Sequence, residues 1–150
     1  MGAKEQLEAN PQRYPKVMSA NDIETMPRLE FNTGIDTGIF ISQEREDARY
    51  FRQGVCYAKA DHEPVHWTQS NFDEAQYCIS GMIRLRVEDA AGKVVVLEAR
   101  PGDNIYLPAG YTYTLEATGV EYTFLWTSGP SNRPGIVEAP GYSKQLRALR

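Results

Sequence analysis

Two stretches of the chain place reactive side chains at short, regular intervals. Residues 66–81 read HWTQSNFDEAQYCISG, and residues 101–115 read PGDNIYLPAGYTYTL. In the first, Glu74 is the central carboxylate, with the amides of Gln69 and Gln76 and the side chains of Trp67 and Thr68 nearby in sequence. In the second, Tyr111 and Tyr113 follow a Pro-Ala-Gly turn. A carboxylate partly desolvated by aromatic rings has a raised pKa and can serve as a general acid or base. A phenol at its side can donate to a developing oxyanion. Glu74 and Tyr113 are therefore the candidate catalytic pair, and Trp67, Thr68, Gln69, Gln76 and Tyr111 the candidate ligand-binding residues. Aromatic walls with a few polar groups are the usual make-up of a small-molecule site.

The elements that must carry these residues are strands. From Gly38 onward the apolar pattern has a period of two, which predicts strands at 38–42, 54–60, 64–69, 74–80, 82–88, 94–99, 104–108, 111–117 and 120–127. Turn signals separate them: Asp89-Ala-Ala-Gly92-Lys93 and Ala117-Thr118-Gly119 are tight reversals. Many short strands with few helical stretches predict a sandwich or barrel and not a parallel α/β sheet. Residues 1–32, interrupted by Pro11, Pro15 and Pro27, are expected to form an arm; 33–131 the barrel; and 132–150 a tail packing on the barrel or a partner.

The two motifs together resemble those of the cupin superfamily. Glu74 followed by Gly81, then Gly102, Pro108, Gly110 and position 113, match in order and without a gap. Trp67, Thr68, Phe72, Asp73, Glu74 and Gly81 are similar to a segment of the ethanolamine-utilisation Q-type cupins. The resemblance spans Val65 to Ser131. It implies an all-β double-stranded β-helix, a jelly-roll barrel open at one end, and a small-molecule site in that opening. It also implies a homodimer, which the arm makes plausible by offering a strand or cover to a neighbour. The acetate-kinase activity attributed to some relatives of that branch is implied by the resemblance alone.

Cupins with a metal present two histidines shortly before the glutamate and a third from the second motif. Here Trp67 and Gln69, or Thr68 and Ser70 with a shorter spacer, stand at the first two positions and Tyr113 at the third. The two histidines of the chain are His62 and His66. His66 shares strand parity with Thr68, so one register turns it inward beside Glu74. Two readings stay open. Either His66, Glu74 and Tyr113, completed by Gln69 or His62, hold one divalent ion (Zn, Fe, Mn or Ni) weakly, since amides and phenols are poor ligands beside imidazole; or no metal is bound. Strand alternation alone leaves a one-residue register error that would reverse every inward assignment.

Composition narrows the remaining classes. The chain has 150 residues, 41% of them hydrophobic, enough for one domain with its own core. A net charge of −4 with no basic cluster argues against nucleic acid. No run of 18 apolar residues and no apolar signal core occurs, so a cytoplasmic address without a membrane partner is expected. Cys56 and Cys78, each within a predicted strand, read as buried free thiols. No phosphate-binding loop or serine-hydrolase elbow is present. The functional expectation is a cupin binding a small molecule at its barrel mouth. The alternatives are a metal-dependent lyase, isomerase or dioxygenase acting on an oxygenated substrate, a metal-free lyase, isomerase or transferase with Glu74 as its acid or base, and a non-catalytic binding or assembly protein of a catabolic pathway.

Overall fold

A computed structural model describes residues 28–131, together with 13 and 15–19. The expected tail, 132–150, and most of the expected arm lie outside the described residues. All nine expected strands are present, with ends displaced by a few residues. One strand and one helical turn were not foreseen. β1 (Arg28–Asn32) lies within the stretch expected as arm and pairs with β2 (Ile35–Ile41). α1 (Gln43–Glu46) is a single turn capped by Ser42, whose hydroxyl accepts from the Arg45 N–H.

The other strands are β3 (Arg52–Ala58), β4 (Val65–Thr68), β5 (Asp73–Ser80), β6 (Ile83–Glu88), β7 (Val94–Ala99), β8 (Asn104–Leu107), β9 (Thr112–Glu116) and β10 (Tyr122–Gly129). They form a six-stranded sheet in the order β1-β2-β3-β10-β5-β8 and a four-stranded sheet in the order β4-β9-β6-β7. Every pairing is antiparallel. The two sheets enclose a core of alternating inward residues, among them Ile39, Cys56, Cys78, Leu85, Leu107, Leu115 and Phe124. Burying such side chains contributes about 25 cal/mol per Å² of apolar surface removed from water. This is the jelly roll that the strand pattern and the resemblance imply.

Turn glycines close the ends of the strands. Gly81 has φ +73°, and a Cβ there would collide with the Glu121 carbonyl and the Tyr122 side chain, so β5 leaves for β6 at an angle only glycine allows. Asp73 then ties the two motifs together. Its Oδ1 accepts from the Ala109 N–H at 2.8 Å and its Oδ2 from the Tyr106 hydroxyl at 2.9 Å. The Pro108-Ala109-Gly110 turn is thereby pinned onto the start of β5, directly beside Glu74.

Candidate functional site

The register across the six-stranded sheet builds the site. Ser128 of β10 stands opposite Arg52 of β3 on one side and Glu74 of β5 on the other, and Glu74 stands opposite Leu107 of β8. Directly opposed residues share a face, so Arg52, Ser128, Glu74 and Leu107 form one row across four strands. The next inward row in β10, β5 and β8 is Trp126, Gln76 and Ile105. Arg52, Ser128, Gln76, Trp126, Ile105 and Leu107 are buried and Glu74 is half-buried. This row structure defines the inner wall at one end of the barrel.

Glu74 and Gln76 are joined: Gln76 Nε2 donates to Glu74 Oε2 at 2.8 Å. Gln76 is only 2% exposed, and its Oε1 has no hydrogen-bonding partner among the described residues. Three neighbouring aromatic donors are committed elsewhere. Trp126 Nε1–H donates to Thr37 Oγ1 at 2.8 Å, and Thr37 in turn donates to the Val55 carbonyl at 3.1 Å. Tyr113 donates its hydroxyl proton to the Pro108 carbonyl at 2.6 Å. Trp67 Nε1–H donates to Gln69 Oε1 at 2.9 Å.

These bonds revise several expectations. Tyr113 faces the interior of the four-stranded sheet as expected, but with its proton on Pro108 it is not poised as a donor to an oxyanion. Burial chiefly, with Tyr111 and the charge of Glu74 adding to it, pushes its phenol well above the usual range. Gln69 is fully buried and spends its amide on Trp67, on the Phe72 carbonyl at 3.2 Å and on the Leu107 carbonyl at 3.0 Å. It holds the turn between β4 and β5 in place and is not free to meet a ligand. Trp67 packs on Tyr113 with ring centroids 5.6 Å apart, and Tyr111 follows at 6.3 Å from Tyr113, partly exposed at the rim.

His66 and Thr68 point the other way. β4 pairs with β9 so that Trp67 faces Tyr113, which leaves His66 opposite Thr114 and Thr68 opposite Thr112 on the outer face. His66 Nδ1 meets Thr114 Oγ1 at 2.8 Å, and the Thr68 and Thr112 hydroxyls meet at 3.0 Å. The register that would turn His66 inward is not the one adopted, because Trp67 and Val65 claim the core side of β4. His62 is buried at the opposite end of the barrel, its Nε2 2.6 Å from the Tyr122 hydroxyl and its Nδ1 2.7 Å from the Glu63 carbonyl. The set of His66, Glu74 and Tyr113, completed by Gln69 or His62, is therefore not brought together. Among the described residues no group of three His, Cys, Asp or Glu could hold a metal ion. Glu74 with its neighbouring Gln76 amide does not supply the imidazole-rich set of at least three protein ligands that Zn, Fe, Mn or Ni take.

Sequence reasoning missed Arg52, Ser128 and Glu44. Arg52 Nη2 donates to Glu44 Oε1 at 3.0 Å with both side chains buried, so a guanidinium and its counter-ion end the same row that holds Glu74. Only strand pairing reveals this, since Arg52 and Glu74 lie on strands that meet through β10. A cavity of about 530 Å³ lies elsewhere, at the far end of β10, lined by Arg28, Asp36, Tyr57, Lys59, Glu121 and Tyr122 among others. There Arg28 lies 4.0 Å over the Tyr57 ring and donates through Nε and Nη2 to Asp36 Oδ1, at 2.9 and 2.7 Å. Both thiols are buried, and burial raises them above the usual range for cysteine.

Comparison with known proteins agrees with this architecture. The cupin family profile matches residues 54–148, more than half of the chain, so the chain belongs to the cupin family. No curated protein matches it in sequence. Solved structures that it resembles include the EutQ protein of Clostridium difficile, at 21% identity over 65% of this chain and 64% of that one, with a TM-score of 0.49. Another is the ethanolamine utilization protein Q of Salmonella typhimurium, at 20% identity over 65% of this chain and 71% of that one, TM-score 0.48. A third is the oxalate decarboxylase of Bacillus subtilis, at 18% identity over 83% of this chain and 33% of that one, TM-score 0.62. The chain thus spans just under two thirds of the Clostridium protein and a third of the decarboxylase, and the likeness to the decarboxylase is one of fold. No helix among the described residues is long and apolar enough to cross a membrane.

Proposed function

We propose that this cupin binds a small molecule inside one end of its barrel, against Glu74 and Gln76, without a metal ion. The observation that carries this reading is the buried Gln76 Oε1, which has no partner among the described residues while its own Nε2 is held by Glu74. An unpaired buried amide oxygen costs about 1–3 kcal/mol, and a bound group that donates to it recovers that loss. Trp126 and Ile105 beside Gln76, with Trp67, Tyr111 and Tyr113 on the facing sheet, supply apolar walls. The departures from the histidine pattern of metal-binding cupins support the metal-free part of the reading.

The test is a thermal-shift screen of small polar compounds on the full chain and on Gln76→Leu, with metal content per protomer measured alongside. The expected result is a compound that raises the melting temperature of the natural protein and leaves that of Gln76→Leu unmoved. Should every hit shift both proteins alike, the site lies elsewhere. One zinc, iron, manganese or nickel ion per chain, lost in Glu74→Gln, would replace this reading with a metal site.

A further inference from the structure

We propose that the free edge of β7 is a self-association surface, on which a second copy of this chain adds its own β7 antiparallel to form one continuous sheet. Four strands lie at sheet edges among the described residues: β1 and β8 in the six-stranded sheet, β4 and β7 in the other. An open edge is a row of unpaired N–H and C=O groups, and three of these four are blunted in familiar ways. β1 carries exposed Arg28 and Glu30 and a register break between Glu30 and Asn32. β4 and β8 are four residues long, and each abuts a proline, Pro64 and Pro108. β7 has none of these devices. Its six residues, Val-Val-Val-Leu-Glu-Ala, contain no proline and pair with β6 without a register break, and the one charge, Glu98, stands near the end of the strand. Val95, Val96 and Leu97 are 47%, 49% and 39% exposed. Val95 and Leu97 lie opposite the buried Val87 and Leu85 and so face the core side, where the six-stranded sheet does not cover them.

The hairpin fixes which backbone groups are free. The Asp89 N–H donates to the Lys93 carbonyl at 3.0 Å, so Lys93 turns its backbone toward β6. Backbone direction alternates along an antiparallel strand. Val95, Leu97 and Ala99 therefore bond toward β6, and the N–H and C=O groups of Val94, Val96 and Glu98 point outward. A second β7 can bond to them only in a register that opposes outward residues to outward residues. The register with a two-fold axis at Val96 uses them all: Val96 meets its own counterpart, Val94 meets Glu98 of the copy and Glu98 its Val94, each pair exchanging both of its bonds. Side chains agree with that register, since opposed residues share a face. Val95 packs on Leu97 of the copy and Leu97 on its Val95, which carries the core-side row Leu115, Leu85, Leu97 across the junction. On the outer face Glu98 meets Val94, so no like charges are opposed. Parallel pairing in register would set Glu98 against Glu98 and Lys93 against Lys93. This self-complementarity is what a two-fold contact requires, and it selects a second copy over an unrelated strand. The junction spans six residues a side, short of the roughly 1,200 Å² of a stable interface, so a dissociation constant on the order of 100 μM is expected.

The experiment is sedimentation velocity of the full chain from about 10 μM to about 1 mM, with Val96→Lys alongside. Val96 is half-exposed on the outer face, so this variant should keep the natural far-ultraviolet circular dichroism while setting two like charges against each other at the axis. The natural chain is expected to pass from monomer to dimer across this range, and Val96→Lys to need at least about tenfold more protein. Register is read separately by thiol cross-linking in air. Val96→Cys, which meets itself at the axis, should give a disulfide-linked dimer well ahead of Glu98→Cys, which faces Val94 of the copy. A natural chain that stays monomeric at about 1 mM would overturn the proposal and leave the edge to an extended segment of another protein. A dimer that Val96→Lys leaves intact would put self-association on another surface and overturn it as well. Equal cross-linking of the two cysteine variants would overturn the register and the pairing with it.

Discussion

Gln76 donates to Glu74 at 2.8 Å across two residues of one strand, and this contact settles which way the amide faces. Residues i and i+2 of a strand share a face, so the sequence Glu-Ala-Gln is enough to bring the pair together once Glu74 turns inward. The contact converts the carboxylate expected to work as a free acid or base into one end of a fixed acceptor pair. The phenol expected as its donor partner, Tyr113, is turned to Pro108 instead.

Gln69 is expected to behave as a structural residue. Its substitution by Ala removes, from a side chain that is itself fully buried, the hydrogen bonds to the Trp67 N–H and to the Phe72 and Leu107 carbonyls. The loss should be about 2–3 kcal/mol, read as a lowered urea midpoint with an unchanged slope. A stability close to that of the natural protein would mean that the β4–β5 turn relaxes and that Gln69 does not hold it.

The strands and their order of inward residues were legible because alternation is strict in β6, β9 and β10, and because Gly81, Gly102 and Gly110 all adopt the positive φ that their turn positions imply. β4 was not legible in the same way. Its four residues, Val-His-Trp-Thr, alternate equally well in either direction, and only the pairing with β9 shows that Trp67 and not His66 faces inward. The apolar run Val94–Leu97 misleads in the other direction: β7 is an edge strand, and Val95, Val96 and Leu97 are exposed. Arg52, though 22 positions from Glu74 in sequence, reaches its row through β10, which follows both by some fifty residues or more. Long-range pairing of this kind leaves no local pattern to read.

Asp73 makes part of the stability depend on acid. Its hydrogen bonds from the Ala109 N–H and, next, the Tyr106 hydroxyl hold its carboxyl below the usual carboxylate range in the folded chain. A group whose folded pKa is depressed stabilises the fold above its unfolded pKa, about 3.9, and that contribution disappears as pH falls through the lower folded value. Asp73→Asn keeps an acceptor for Ala109 but carries no charge. The gap in urea midpoint between the natural protein and Asp73→Asn should therefore be present at neutral pH and close as the solution is taken below about pH 4. A gap of equal size at both pH values would show that charge plays no part in pinning the turn.

The two histidines should separate cleanly on substitution, and neither should change metal content. His66 is exposed on the outer face with one contact to Thr114, so His66→Ala is expected to stay within about 0.5 kcal/mol of the natural stability. His62 is buried. Its Nδ1 faces a carbonyl, which can only accept, so that nitrogen carries a proton and the ring meets the Tyr122 hydroxyl through Nε2. Truncation strands the Tyr122 hydroxyl beside the weaker 3.4 Å acceptor at Glu116. His62→Ala should cost about 2 kcal/mol, from the buried group left poorly paired. Replacement by Gln, which can still bond to Tyr122, should recover part of that loss, whereas a purely space-filling role would make Leu the better substitute. Equal stabilities for His62→Ala and His66→Ala would contradict the assignment of these residues to the core and to the surface.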